Sequence, residues 1–243
     1  MQNTIWKSKE EIKYSLKNAQ KVSILSCGIC ASLSNTGGKV GIRMLEDLLK
    51  EWGKQVTFAR SIMGCCPEEA VRQALRIFGK RILKSDALVI LSCSSGVKSV
   101  YLCDPGVPVV AALDTIGGVP VTRRESSMVN SLCSTCGYCV LTYSGGVCPV
   151  TMCTLGKKYA PCSAAPTNGT KCAMDPERDC AWKEIAKRGD LTALKHLSQL
   201  HEAGGERPSF TGEEKFSPSF LRKLTGWLAA RGRIFVRPTS WIK

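Results

Sequence analysis

Histidine is nearly missing from this 243-residue chain, which has only His196 and His201. A metal site built here must be almost entirely thiolate. That suits iron–sulfur clusters or structural zinc, whereas catalytic zinc usually takes histidine or carboxylate and keeps an open position. A histidine base is equally scarce, and no Ser/His/Asp arrangement or pair of catalytic carboxylates stands out, so acid–base chemistry by this chain alone is not expected. Long apolar runs are lacking as well. No stretch nears the roughly 20 apolar residues that span a bilayer. The start, Met1 to Trp6 followed by the charged Lys7–Lys13 segment, does not have the order of a secretory signal, and the expected address is cytoplasmic. Aromatic residues make up 7% of the chain and offer few stacking platforms, and no recognition module appears. Both points weigh against the alternative of a zinc-stapled basic nucleic-acid-binding or interaction module.

What the chain has in abundance is cysteine, fourteen residues, and positive charge, a net +14. In a reducing compartment these cysteines are expected as metal ligands or redox groups rather than disulfides. The charge fits three causes: phosphate contacts, an acidic partner, or compensation for anionic clusters, since a four-thiolate [4Fe–4S] unit carries about two negative charges.

The first half, residues 1–125, reads as a wound α/β domain with a parallel, Rossmann-like sheet. Four β-branched-rich runs, Val22–Ser26, Val56–Ile62, Ala87–Leu91 and Val107–Leu113, alternate with helical patterns. A further amphipathic helix is expected over Lys9–Asn18. Strands separated by helices imply parallel pairing. Gly37-Gly38-Lys39 lacks the glycine and Ser/Thr of a Walker phosphate loop, because residue 33 is leucine and residue 40 is valine. Helix entry is its expected role, not nucleotide binding.

Cysteines fall just past the carboxyl ends of these strands: Cys27 and Cys30 after the first, Cys65 and Cys66 after the second, Cys93 after the third. That edge of an open parallel sheet is where ligands bind, and helix amino ends gathered there favour anionic sulfur. The expected ligand set is Cys27, Cys30, Cys65 and Cys93, with Cys66 competing for the place of Cys65. Cys103 reads as a packed thiol. A cysteine-based redox or transferase reaction through Cys66 or Cys103 is a third, lesser reading.

The second segment, residues 126–200, is cysteine-rich. Eight of the cysteines lie between Cys133 and Cys180, among glycines, prolines and few large apolar groups, so metal is expected to form its core. It opens as Cys133-x₂-Cys136-x₂-Cys139, the start of a ferredoxin-type [4Fe–4S] run, with zinc as the plainer alternative. The usual fourth ligand precedes proline, and the nearest such pair is Cys148-Pro149. Cys153, Cys162, Cys172 and Cys180 are left for a further cluster or a structural zinc. Residues 201–243 read as a polar linker and a basic amphipathic tail carrying Phe220, Leu224, Trp227 and Leu228, a possible partner-binding arm.

The run from Cys133 through Cys139-Val-Leu-Thr-Tyr-x-Gly-Gly-x-Cys148-Pro, then Cys153, Cys162, Asn168-Gly169-x-x-Cys172 and Asp179-Cys180-x-Trp182, resembles the MetV family. These are small subunits of methylenetetrahydrofolate reductases in acetogenic and related anaerobes. Cys27-Gly-x-Cys30 and Cys93-x-x-Gly-Val resemble it too, so the likeness covers about residues 20–200. One departure is Tyr159-Ala-Pro-Cys162-Ser-Ala, where the family usually writes Asn-Gly-Pro-Cys-Gly-Gly. The resemblance implies at least two [4Fe–4S] clusters, electron transfer to or from the flavin of a MetF-type catalytic subunit in one-carbon metabolism, and room for a further electron-donating subunit.

Overall fold

The computed structural model describes residues 1–118, 129, 132–165 and 169–208. The tail stripe from Phe220 to Leu228 lies outside them. The chain begins with β1 (Gln2–Trp6) and α1 (Lys9–Ser15), a helix capped by Ser8, whose hydroxyl accepts from the Glu11 N–H. Then follow β2 (Lys21–Cys27), the single turn α2 (Cys30–Leu33), α3 (Gly38–Glu51), β3 (Gln55–Ile62), α4 (Glu68–Ile82), β4 (Ala87–Leu91), α5 (Ser94–Cys103) and β5 (Val109–Ala111). β2, β3, β4 and β5 form one parallel sheet in the order β3-β2-β4-β5.

Its two faces follow the period of two expected of a strand. Val22 and Ile24 of β2, with Ala87, Val89 and Leu91 of β4, pack on Ile12 of α1, Leu16 just after it, and Leu45 and Leu49 of α3. Leu25, Leu88 and Ile90 face the other way, toward Val71 and Ile82 of α4 and Val97 and Val100 of α5. The sheet is therefore covered on both sides, and every residue of β4 is buried, as an all-parallel sheet requires.

The fourth expected strand divides. β5 stops at Ala111, and β6 (Leu113–Gly118) pairs antiparallel with β1 in a separate two-stranded sheet. The sequence reading had no strand at the amino terminus. Its buried residues Gln2 and Thr4 are polar, which hides the apolar alternation by which strands are recognised.

The cysteine-rich segment then crosses the β5 edge. The Ala111 N–H donates to the Thr142 hydroxyl at 2.9 Å, the Tyr101 hydroxyl donates to the Thr142 carbonyl at 3.1 Å, and Leu141 packs into the core on that face. α6 (Pro149–Met152), β7 (Lys171–Cys172), β8 (Asp175–Asp179), α7 (Ala181–Arg188) and α8 (Leu191–Ala203) complete the described chain. Asp190 caps α8, accepting from the Ala193 N–H at 2.9 Å. Val140, Tyr143 and Val147 pack with Trp182, Ile185, Leu194 and Leu197. The segment thus has an apolar core of its own, which a window ending at Cys180 misses because the covering helices begin one residue later.

The first residues of the segment 201–243 bond back to the start of the chain. The Glu206 carbonyl accepts from the Lys9 N–H at 2.8 Å, and Arg207 binds the Trp6 carbonyl and Asp114. No helix among the described residues is long and apolar enough to cross a membrane.

Candidate metal centre

Three loops at the carboxyl edge of the sheet bring thiols together. Cys27 ends β2, Cys30 opens α2, Cys65 and Cys66 follow β3, and Cys93 is the N-cap of α5. The Cys65 thiol donates to the Cys27 sulfur, and the Cys93 thiol to the Cys30 sulfur. The bond from Cys65 lowers the Cys27 pKa to about 5 against burial, helped by the N–H groups of Ile29, Cys65 and Ala31. The Cys93 thiol likewise pulls Cys30 down. As donors, Cys65 and Cys93 are pushed up, and burial adds to it. Cys66 is pushed up to about 12, first by burial and then by the charges of Cys27 and Cys30. All five thiols therefore act on one another, and Cys27 and Cys30 are held below the ordinary thiol value, toward the thiolate form that binds metal.

Close packing holds the group. A Cβ on Gly96 would meet the Ser92 hydroxyl oxygen at 2.2 Å and the Cys65 Cβ at 2.7 Å, so glycine lets α5 approach the Cys65 loop. The Ser92 Oγ and Gln2 Nε2 are buried without hydrogen-bond partners, while the Gln2 backbone N–H donates to Cys30.

A second group lies behind the first. One cavity is lined by Cys133, Cys136, Cys139 and Cys148, together with Ser94, Lys98 and Thr115. The expected fourth ligand, Cys148, thus shares a cavity with the triplet. The loop is fixed from the sheet side. The Gly137 N–H donates to the Thr115 carbonyl at 3.0 Å, and the Cys139 N–H to Asp114 Oδ1 at 2.7 Å. Burial pushes the Cys139 thiol up to about 12, and the nearby Lys7 works against it. Cys136 is exposed, with Lys158 Nζ 3.6 Å from its sulfur. Ser94 joins the two groups. It follows Cys93 directly, its N–H donates to the Thr115 hydroxyl at 3.0 Å, and its own hydroxyl is buried without a partner. The first turn of α5 therefore presents sulfur to one group and lines the cavity of the other.

The last four cysteines are less united. Cys153, Cys172 and Cys180 border the same apolar core, at the end of α6, in β7 and at the start of α7. Cys172 is held below its ordinary value by the Met174 N–H and the Thr154 hydroxyl. Cys162 is half-buried in the loop after Tyr159 and is not part of that core. Cys103, at the end of α5, donates weakly to the Glu68 carbonyl, as a packed thiol would.

Among the described residues no three His, Cys, Asp or Glu side chains converge on a single metal-ion position. An iron–sulfur cube asks for something else: one thiolate at each iron, spread around a volume, with N–H and O–H groups turned toward sulfur. Two sets of cysteines, unpartnered hydroxyls beside both and a cavity between the second set match that donor chemistry. Cys27, Cys30, Cys65 and Cys93 would hold one such group, and Cys133, Cys136, Cys139 and Cys148 the other.

Sequence reasoning missed Lys7, Asp114, Ser94, Lys98 and Thr115. Lys7 and Lys98 are both at least 98% buried, and nothing in a lone lysine's neighbours along the chain distinguishes it from a solvated one. No curated protein matches the chain. Residues 114–206, less than half of it but covering the whole second group, match the family described as the methylene-tetrahydrofolate reductase C terminal, which links the chain to proteins related to that reductase.

Proposed function

We propose that the chain is an iron–sulfur electron-transfer subunit of a methylenetetrahydrofolate reductase complex, passing electrons to or from the flavin of a MetF-type catalytic subunit. The observation that carries this reading is the cavity lined by Cys133, Cys136, Cys139 and Cys148, inside the region matched to the reductase family. The buried group at Cys27, Cys30, Cys65 and Cys93 supplies a second cluster, adjacent to the first across the Cys93–Ser94 peptide. Adjacency matters because electrons tunnel only over short gaps. Cys136, the exposed ligand, places the cluster of the Cys133–Cys148 group nearer the surface and so nearer a partner's cofactor. The sulfur groups at Cys153, Cys162, Cys172 and Cys180 take a third cluster or a structural zinc. The chain itself supplies thiolates, hydrogen bonds and charge, and the folate chemistry belongs to the partner.

Anaerobic mixing of the dithionite-reduced, desalted chain with the oxidised flavin subunit tests the relay. Bleaching of the flavin together with oxidation of the cluster chromophore is expected. A flavin that stays oxidised in a complex shown by gel filtration to have formed would remove the relay claim.

A further inference from the structure

The clearest device that the thiolates alone do not explain is a buried ion cluster behind Cys139. Lys7 leaves β1 and turns inward, where its side chain is 1% exposed. Its Nζ lies 2.6 Å from the Cys139 carbonyl oxygen, 2.5 Å from Glu11 Oε1 and 3.0 Å from Asp114 Oδ1, and Asp114 is fully buried. The same Asp114 oxygen accepts the Cys139 N–H at 2.7 Å. The peptide groups on both sides of the Cys139 α-carbon are thus gripped, the N–H by a carboxylate and the carbonyl by an ammonium. The carboxylates have other partners behind them. Asp114 Oδ2 accepts from Arg207 at 3.0 Å, and Glu11 Oε2 is 3.0 Å from His201 Nε2, whose Nδ1 is 2.7 Å from the Tyr159 hydroxyl.

Burying a lysine is costly unless it is paired, and an all-apolar replacement is often as stable. A merely structural clamp needs no charge. A cation within hydrogen-bond reach of a ligand's backbone, in a low-dielectric interior, does act on an anionic cluster, whose potential follows net charge and hydrogen bonding.

We infer that Lys7 is a positioning residue for the Cys133–Cys139 loop and that its fixed positive charge raises the reduction potential of the cluster held there more than that of the Cys27–Cys93 cluster. The inference rests on the iron–sulfur reading above.

The test is an anaerobic redox titration of the full chain, followed by electron paramagnetic resonance so that the two clusters are read separately. Lys7→Met should shift the cluster of the second group to a more negative potential and move the other less. Lys7→Arg, which keeps the charge, should restore most of the shift. Asp114→Asn retains an acceptor for the Cys139 N–H but removes a negative charge, and it should move the same cluster to a more positive potential. Opposite signs for Lys7→Met and Asp114→Asn are not expected of damage to the fold, and should Lys7→Met fail to fold, Asp114→Asn carries the test alone. Two cluster signals whose potentials are the same in wild type and in every folded variant would overturn the role of Lys7 and leave the relay reading standing. A wild-type chain with no iron–sulfur signal would overturn the relay reading, and this inference with it.

Discussion

Cys65 and Cys66 are neighbours in sequence with different surroundings, and the difference favours Cys65 as the proposed ligand. Cys65 is fully buried and hydrogen-bonded to Cys27, whereas Cys66 is half-buried, with its carbonyl accepting from Ser99. Cys65→Ser should lower the iron content by about four atoms, one cluster. Cys66→Ser should leave it unchanged. The reverse outcome in anaerobic iron analysis would transfer the ligand role to Cys66. Spacing alone leaves this pair unresolved, because adjacent residues on a turn are equivalent until the packing around each is known. The position of Cys93 was legible for the opposite reason: a cysteine just past a buried strand has few places to go except the carboxyl edge of the sheet.

At the scale of elements, the reading from sequence did best where apolar period and punctuation agreed. α3 follows Gly37, where the Gly38 backbone sits at φ +64° and its N–H donates to Ser26, so the glycine pair serves helix entry as expected. α8 begins at Leu191, directly after its cap Asp190. Asp190→Ala removes the acceptor for the Ala193 N–H and should cost about 1 kcal/mol of stability in a denaturant titration. A loss indistinguishable from zero would mean that the helix end is satisfied by other groups. The β1–β6 pair and the Arg207 clasp were not legible, since both join residues far apart in sequence through polar groups. The same holds for the ion cluster around Lys7, whose members come from the β1–α1 link, α1, β6 and α8. No local pattern marks such a set, because each member looks like an ordinary surface charge until the chain folds.

The whole molecule is closed by contacts between its first residues and its last described ones, and several of these are ionic. Burial pushes the Glu11 carboxyl up, but the charge of Lys7 and the bond to His201 outweigh it and hold Glu11 below its ordinary value. The stability this contributes is therefore present above the unfolded carboxylate pKa of about 4.3 and is lost as pH falls through the lower folded value. Lys7 behaves in the opposite sense. Burial lowers its pKa, yet Asp114 and Glu11 raise it further, so its contribution is complete below an unfolded pKa of about 10.4 and fades only in strong alkali. Glu11→Gln should flatten the stability profile at the acid end, in thermal melts run from about pH 6 down to about pH 3. A wild-type melting temperature independent of pH over that range would contradict this.

The net charge of +14 finds a natural counterweight if anionic clusters occupy the two cysteine groups, and that occupancy is the account's central claim. Its most direct measurement is iron and acid-labile sulfide on chain purified without oxygen. The account predicts a brown protein with about eight irons or more and matching sulfide. A colourless chain holding only zinc would contradict it.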